Sequence, residues 1–291
     1  MPRYPVTKPK MLPAIAGLWV LGLVVGSQLA VACQPSPPPA ADGNGDIVTP
    51  SPEPQPLPVD GDQAEVDAVL TPAVRDRILQ TVAAEVNRPA AALRIADAET
   101  TTWDGCMGVY VPDQMCTMIA IFGLRVVVTD GDQSWVYHTQ QNGENVVQNP
   151  TASGSRNGLI VDLIPTLDPE PTPEGVVFRS VESGSLAGGQ REVVLFSDGR
   201  LVHQTNDTVV AETRLSPEQV ADFEQMLSQQ RFPNLHRMRY ITDAAFADYP
   251  TVRLSAGYLQ TEYIDLALDD APPALQAIVE AWSDLTQPLM N

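Results

Sequence analysis

Lysine is almost missing from this chain. Lys8 and Lys10 are the only two, and both precede Cys33, so every fixed cation after Cys33 is an arginine. The chain holds 17 Lys and Arg against 36 Asp and Glu, a formal charge of −19. That imbalance excludes nucleic acid and anionic lipid headgroups as natural partners, because both repel an acidic surface. Histidine is equally sparse. His138, His203 and His236 show no H-x-x-x-H or H-E-x-x-H spacing and read as surface or packing residues. There is no G-x-S-x-G elbow, and Ser183-Gly184-Ser185 lacks the strand-to-helix setting a nucleophile would need. Asp130-Gly131-Asp132 lacks the downstream Glu of a calcium loop and reads as a hairpin turn. In so acidic a chain, paired carboxylates occur by chance and assign no acid/base chemistry. The expectation is a protein with no catalytic residue, metal or cofactor, and so not an enzyme.

Long apolar runs are also lacking, with one exception. Arg3, Lys8 and Lys10 precede an apolar stretch from Met11 to Ala32, and no acidic residue occurs before Cys33. A basic start, an apolar core and small residues before a cut are the marks of an export signal. The segment Leu29-Ala30-Val31-Ala32-Cys33 resembles the lipobox of bacterial lipoproteins, which implies a lipid on the Cys33 thiol and a cell-envelope location. The run is also about long enough to span a bilayer uncleaved; Gly26, Ser27 and Gln28 weaken its last turn and favour cleavage. Gln34 after the cysteine, by resemblance to enterobacterial sorting, implies the outer membrane. Cysteine is scarce too, three in all. With Cys33 lipidated, Cys106 and Cys116 remain in an exported region where disulfides persist, and they read as a structural bridge.

Proline, by contrast, is plentiful and clustered, and it marks the layout. Residues 1–32 read as signal and 33–62 as a proline-rich tether of extended, coreless chain. Residues 63–150 read as a first module, 151–175 as a second linker centred on Pro165 to Pro173, and 176–291 as a second module. The fold class expected is α+β: two small domains, each an antiparallel sheet packed by one or two helices.

In the first module, Thr71-Pro72 starts a helix carrying Val74, Ile78, Leu79, Val82 and Val86 at helical spacing, and Asn87-Arg88-Pro89 stops it. Strands are predicted over Leu93–Ala98, Met118–Thr129 and Ser134–Thr139, the last two joined by the Asp130-Gly131 turn. Trp103, Trp135 and Tyr137 read as core in preference to an exposed aromatic platform. The run Trp103 to Gly108, Cys116, Gly123 to Val128, Trp135 to Thr139 and Asn142-Gly143 resembles a small secreted domain of bacterial envelope proteins with a W-x-D-x-x-x-G segment. That resemblance implies location and fold rather than an activity. The helix-then-strands order is also similar to PepSY propeptide modules.

In the second module, strands are predicted over Val176–Glu182, Arg191–Phe196, Arg200–Thr205, Thr251–Ser255 and Glu262–Leu268. An inserted hairpin is expected around Asn206. Ser216-Pro217-Glu218-Gln219 is a capping-box helix start ahead of Val220, Phe223, Met226 and Leu227. A last helix starts at Pro272-Pro273 and turns Leu275, Ile278, Val279, Trp282 and Leu285 inward. This order, the Ser183 to Gly189 loop and the Leu215-Ser216-Pro217 helix entry resemble emfourin-like domains, the family of protealysin inhibitor. The resemblance implies a contact loop at Ser183, Gly184, Ser185, Leu186, Ala187, Gly188 and Gly189. Two functions follow as expectations. One is a membrane-tethered, non-enzymatic module that binds another envelope protein. The other is an inhibitor or regulator of a secreted thermolysin-like metalloprotease.

Overall fold

Two of the helices begin where the sequence places their caps, at Thr71 and Ser216. The computed structural model describes residues 60–165, 172–184, 189–242 and 249–289. The expected signal, the expected lipidation site Cys33 and the expected tether up to residue 59 lie outside the described residues. Within them, α1 (Asp60–Val69) is followed by α2 (Pro72–Val86). The Thr71 hydroxyl accepts from the Val74 amide at the α2 start, and Asn87 closes the helix in the left-handed region. Then come β1 (Arg94–Trp103), β2 (Ile121–Thr129), β3 (Ser134–Gln140) and β4 (Val147–Asn149), an antiparallel sheet in that order. One face of this sheet, with Leu124, Val126, Val128 and Tyr137, packs on Val66, Ile78 and Val82 of the helices and on Leu70 between them.

The second sheet has eight strands. In chain order they are β5 (Ile160–Leu163), β6 (Val176–Ser183), β7 (Arg191–Phe196), β8 (Arg200–Thr205), β9 (Thr208–Arg214), β10 (Met238–Ile241), β11 (Thr251–Ala256) and β12 (Leu259–Ile264). In space the order is β5-β10-β12-β11-β6-β7-β8-β9, antiparallel throughout except for the parallel β10–β12 pair. The helices α3 (Pro217–Gln229) and α4 (Pro273–Thr286) pack on it. Ser216 and Gln219 form the expected capping box. Phe178 anchors the core, meeting Phe223, Phe232 and Trp282 edge-on at centroid distances of 5.2, 5.5 and 4.9 Å. The class is α+β, with antiparallel sheets packed by a few helices. Among the described residues no helix is long and apolar enough to cross a membrane.

The layout departs from expectation between the modules. Residues 151–165, expected as linker, are built into the fold, while 166–171 lie outside the described residues. Ala152 and Ser155 are fully buried, and β5 pairs with β10 at the edge of the second sheet. The neighbouring prolines hid a short apolar run, Leu159 to Ile164, that is enough for a four-residue strand. Val127 and Val136, on the far face of the first sheet, join the second core beside Ala152, Val161 and Tyr240. All the described residues therefore fall in one compact unit, Pro56–Asn291. Smaller departures have local causes. The helix α1 starts within the expected tether. The strand β1 runs on through Thr100, Thr101 and Thr102, whose branched Cβ atoms suit a strand. The last strand ends at Ile264, and residues 265–270 form a 3-10 turn.

Candidate functional site, an exposed apolar loop

Two features stand out from the packed frame: a polar seam between the sheets, and a stapled loop that projects from it. The seam begins with Asp97 of β1, whose carboxylate accepts from the Leu163 amide at 2.8 Å and the Ala98 amide at 2.7 Å. Burial pushes that carboxyl up from the usual range, against the pull of those two amides. Glu99 follows, its two oxygens taken by Arg125 at 2.5 Å and Arg237 at 2.8 Å. Both guanidiniums are nearly buried, and Arg125 lies 5.3 Å over the Trp103 ring. A cleft of about 540 Å³ opens there, between Glu65 and Val69 of α1, the β1 stretch Ala98–Thr101, and His236 and Arg237. Burial, reinforced by Arg125 and Arg237, pushes His236 down to about 4, so its ring is neutral at pH 7. The ions of this cleft hold one another and join β1, β2 and the turn before β10.

The connection from β1 to β2 carries the loop. Its base is fixed at many points. Asp104 Oδ1 accepts from the amides of Cys106 and Gly108, both at 3.0 Å. His138 stacks on Trp103 at 4.0 Å and donates from Nδ1 to the Met107 carbonyl at 2.6 Å. Its burial, with help from Arg125, lowers it to about 3, which keeps the ring neutral. The Gly108 backbone (φ +67°) lies so close to Trp103 that any Cβ there would sit 2.2 Å from the ring. Asn234, itself buried, then treats Tyr110 as a strand partner. Its Oδ1 accepts from the Tyr110 amide at 2.7 Å, and its Nδ2 donates to the Tyr110 carbonyl at 2.9 Å. The Tyr110 hydroxyl meets Ser228 Oγ at 3.0 Å. Cys106 and Cys116 are bonded as expected, with Cα atoms 5.4 Å apart. Asp104 lies beside both sulfurs, but these are committed to each other, and the carboxylate is committed to amides.

Beyond this base the loop turns outward. Met115 is 95% exposed, Met118 97%, Phe122 70% and Ile119 54%. From Gln114 to Leu124 there is no charged residue, in a chain with 36 carboxylates. Exposed apolar residues scattered singly need no explanation, but four between residues 115 and 122, running from the staple into β2, do. Sequence patterning missed this surface: Met118 to Phe122 reads as the start of a strand. In the structure β2 begins only at Ile121, and Phe122 pairs across from Thr102 beyond the reach of α2. The sequence-expected aromatic residues lie elsewhere. Trp103 and Tyr137 are core, and Trp135 is half-buried.

Residues 75–148 match a domain of unknown function, DUF8738. The match runs from the first turn of α2 to β4, about a quarter of the chain, and contains the whole stapled loop. No curated protein and no solved structure matches the chain. Of the loop suggested by the emfourin resemblance, Ser183 ends β6, Gly184 follows at φ +88°, and Gly189 lies near Asn206. Ser185, Leu186, Ala187 and Gly188 lie outside the described residues.

Proposed function

We propose that this protein is a non-enzymatic binding module of the cell envelope, held to a membrane by a lipid on Cys33, that docks another protein through the apolar Met115–Phe122 surface. The observation that carries the reading is the pairing of a rigid, multiply bonded base with four exposed apolar side chains. Fully burying four such side chains yields roughly 6–12 kcal/mol gross. Association costs of similar size offset much of that gain. A tether that confines both partners to one membrane raises their effective concentration and makes so small a patch sufficient. A protein fits this surface better than a bilayer does. The loop from Gln114 to Phe122 has no Trp, Tyr, Lys or Arg to sit at the headgroups, and the acidic chain repels anionic lipid.

The test is a photoreactive amino acid at Ile119 in the full chain, expressed in its own cells. A single protein adduct, lost when Phe122 is changed to Asp, is the expected result. Adducts to lipid alone, or none, would sink the reading.

A further inference from the structure

The apolar loop contains an odd choice of residue. Two of its four exposed side chains are methionine, where leucine would cover a partner equally well. The described methionines divide sharply. Met115 and Met118 are 95% and 97% exposed, whereas Met107 and Met238 are 3% and 0%. Met226 is half-buried on α3. A thioether reacts with an oxidant only where the oxidant can reach the sulfur.

We infer that Met115 and Met118 form a reversible oxidation site that switches the docking surface off. The inference rests on the docking reading above and adds a modification to it. The oxidant is hydrogen peroxide. A sulfur lone pair attacks one peroxide oxygen, the O–O bond breaks, and the S–O bond of the sulfoxide forms. The departing hydroxide takes the remaining hydroxyl proton and leaves as water. Sulfur loses two electrons and the peroxide gains them. Each sulfoxide places a strong dipole and acceptor in the middle of an apolar contact, where no partner group awaits it. The fold does not change, because neither side chain belongs to a core. Cys106 and Cys116 are already bonded and so offer no competing thiol. A sulfoxide reductase restores the surface: two thiols supply two electrons and two protons, close to a disulfide, and the sulfoxide oxygen leaves as water.

The experiment uses the full chain in membranes with the photoreactive residue at Ile119, treated with hydrogen peroxide and mapped by mass spectrometry. Met115 and Met118 should oxidise at least ten times faster than Met107 and Met238, with an unchanged melting midpoint. Adduct yield should fall about tenfold in the parent chain. It should survive peroxide in the Met115→Leu, Met118→Leu double variant. Three results would each overturn the inference: equal oxidation of the buried methionines, undiminished adduct after oxidation of the loop, or equal loss of adduct in the leucine variant. A chain that gives no adduct before peroxide instead removes the docking reading and with it the switch. The mapping alone still decides whether the two sulfurs are the oxidation site.

Discussion

Asn234 does at residue scale what a strand would do at a larger one. Its side-chain amide pairs with both backbone groups of Tyr110 and reaches Thr151 Oγ1 at 3.1 Å, and its backbone carbonyl accepts from Asn149 Nδ2 at 2.7 Å. Asn234→Ala leaves the Tyr110 amide and carbonyl without partners. The expected loss is on the order of 2–4 kcal/mol of unfolding free energy, read from the midpoint in denaturant. His138 gives a second expectation at this scale. Its folded value is held at about 3, below the ordinary 6.5, so in the range between them the unfolded chain binds a proton that the folded chain refuses. The stability contributed is therefore present above about pH 6.5 and lost as pH falls toward 3. His236, held at about 4, acts in the same direction, while the raised Asp97 opposes it near its own range. Melting curves from pH 7 to 5 should show falling stability, approaching about 1.4 kcal/mol per pH unit from His138. His138→Phe, which keeps a ring on Trp103, should flatten that slope; an unchanged slope would contradict the assignment.

At the scale of elements, the sequence was readable wherever a local rule decides. Caps at Thr71 and Ser216, the double proline at 272 and 273, and the Asp198-Gly199 turn between β7 and β8 all mark their elements within a residue or two. The elements that escaped are those whose reason lies elsewhere in the chain. The strands β5 and β10 are four residues each and form by pairing with each other across the second sheet. Asp162 and Arg239 sit opposite in that register and lock it with two hydrogen bonds at 2.5 and 2.7 Å. Neither residue announces this from its own neighbourhood. The stapled loop was half legible: the bond between Cys106 and Cys116 followed from cysteine number and the expected compartment, but the outward turn of Met115 to Phe122 did not. Apolar residues in sequence imply burial until the structure shows nothing above them. Cys106→Ser together with Cys116→Ser frees the loop and should cost roughly 3 kcal/mol in the chain-entropy account. Hydrogen exchange should rise in residues 111–120 while the amides of β2 and β3 stay protected. Equal loosening of both would show that the bridge holds the sheet rather than the loop.

On the scale of the molecule, the two sheets are not independent. Val127 and Val136 of the first are buried with Val161 and Tyr240 of the second, and the Glu99, Arg125 and Arg237 cluster joins them again. A fragment of residues 60–165 therefore bares an apolar face, and one of residues 172–289 loses β5 from beside β10. Neither should melt cooperatively as a monomer, whereas the two mixed should recover the cooperative transition, measured by near-UV dichroism and gel filtration. A monomeric 60–165 fragment with its own sharp transition would refute the shared core.

The reach of Asn234 has a consequence in time. A chain made from its N-terminus finishes the strands of its first sheet well before Asn234 exists, since Asn149 and Asn234 are 85 residues apart. At 5–20 residues per second, the valine face waits roughly 4–17 s for its cover. For that interval each newly made molecule offers a sticky half-product to its neighbours, so yield should depend on how crowded its synthesis is, and on whether a holdase shields that face until the second half arrives.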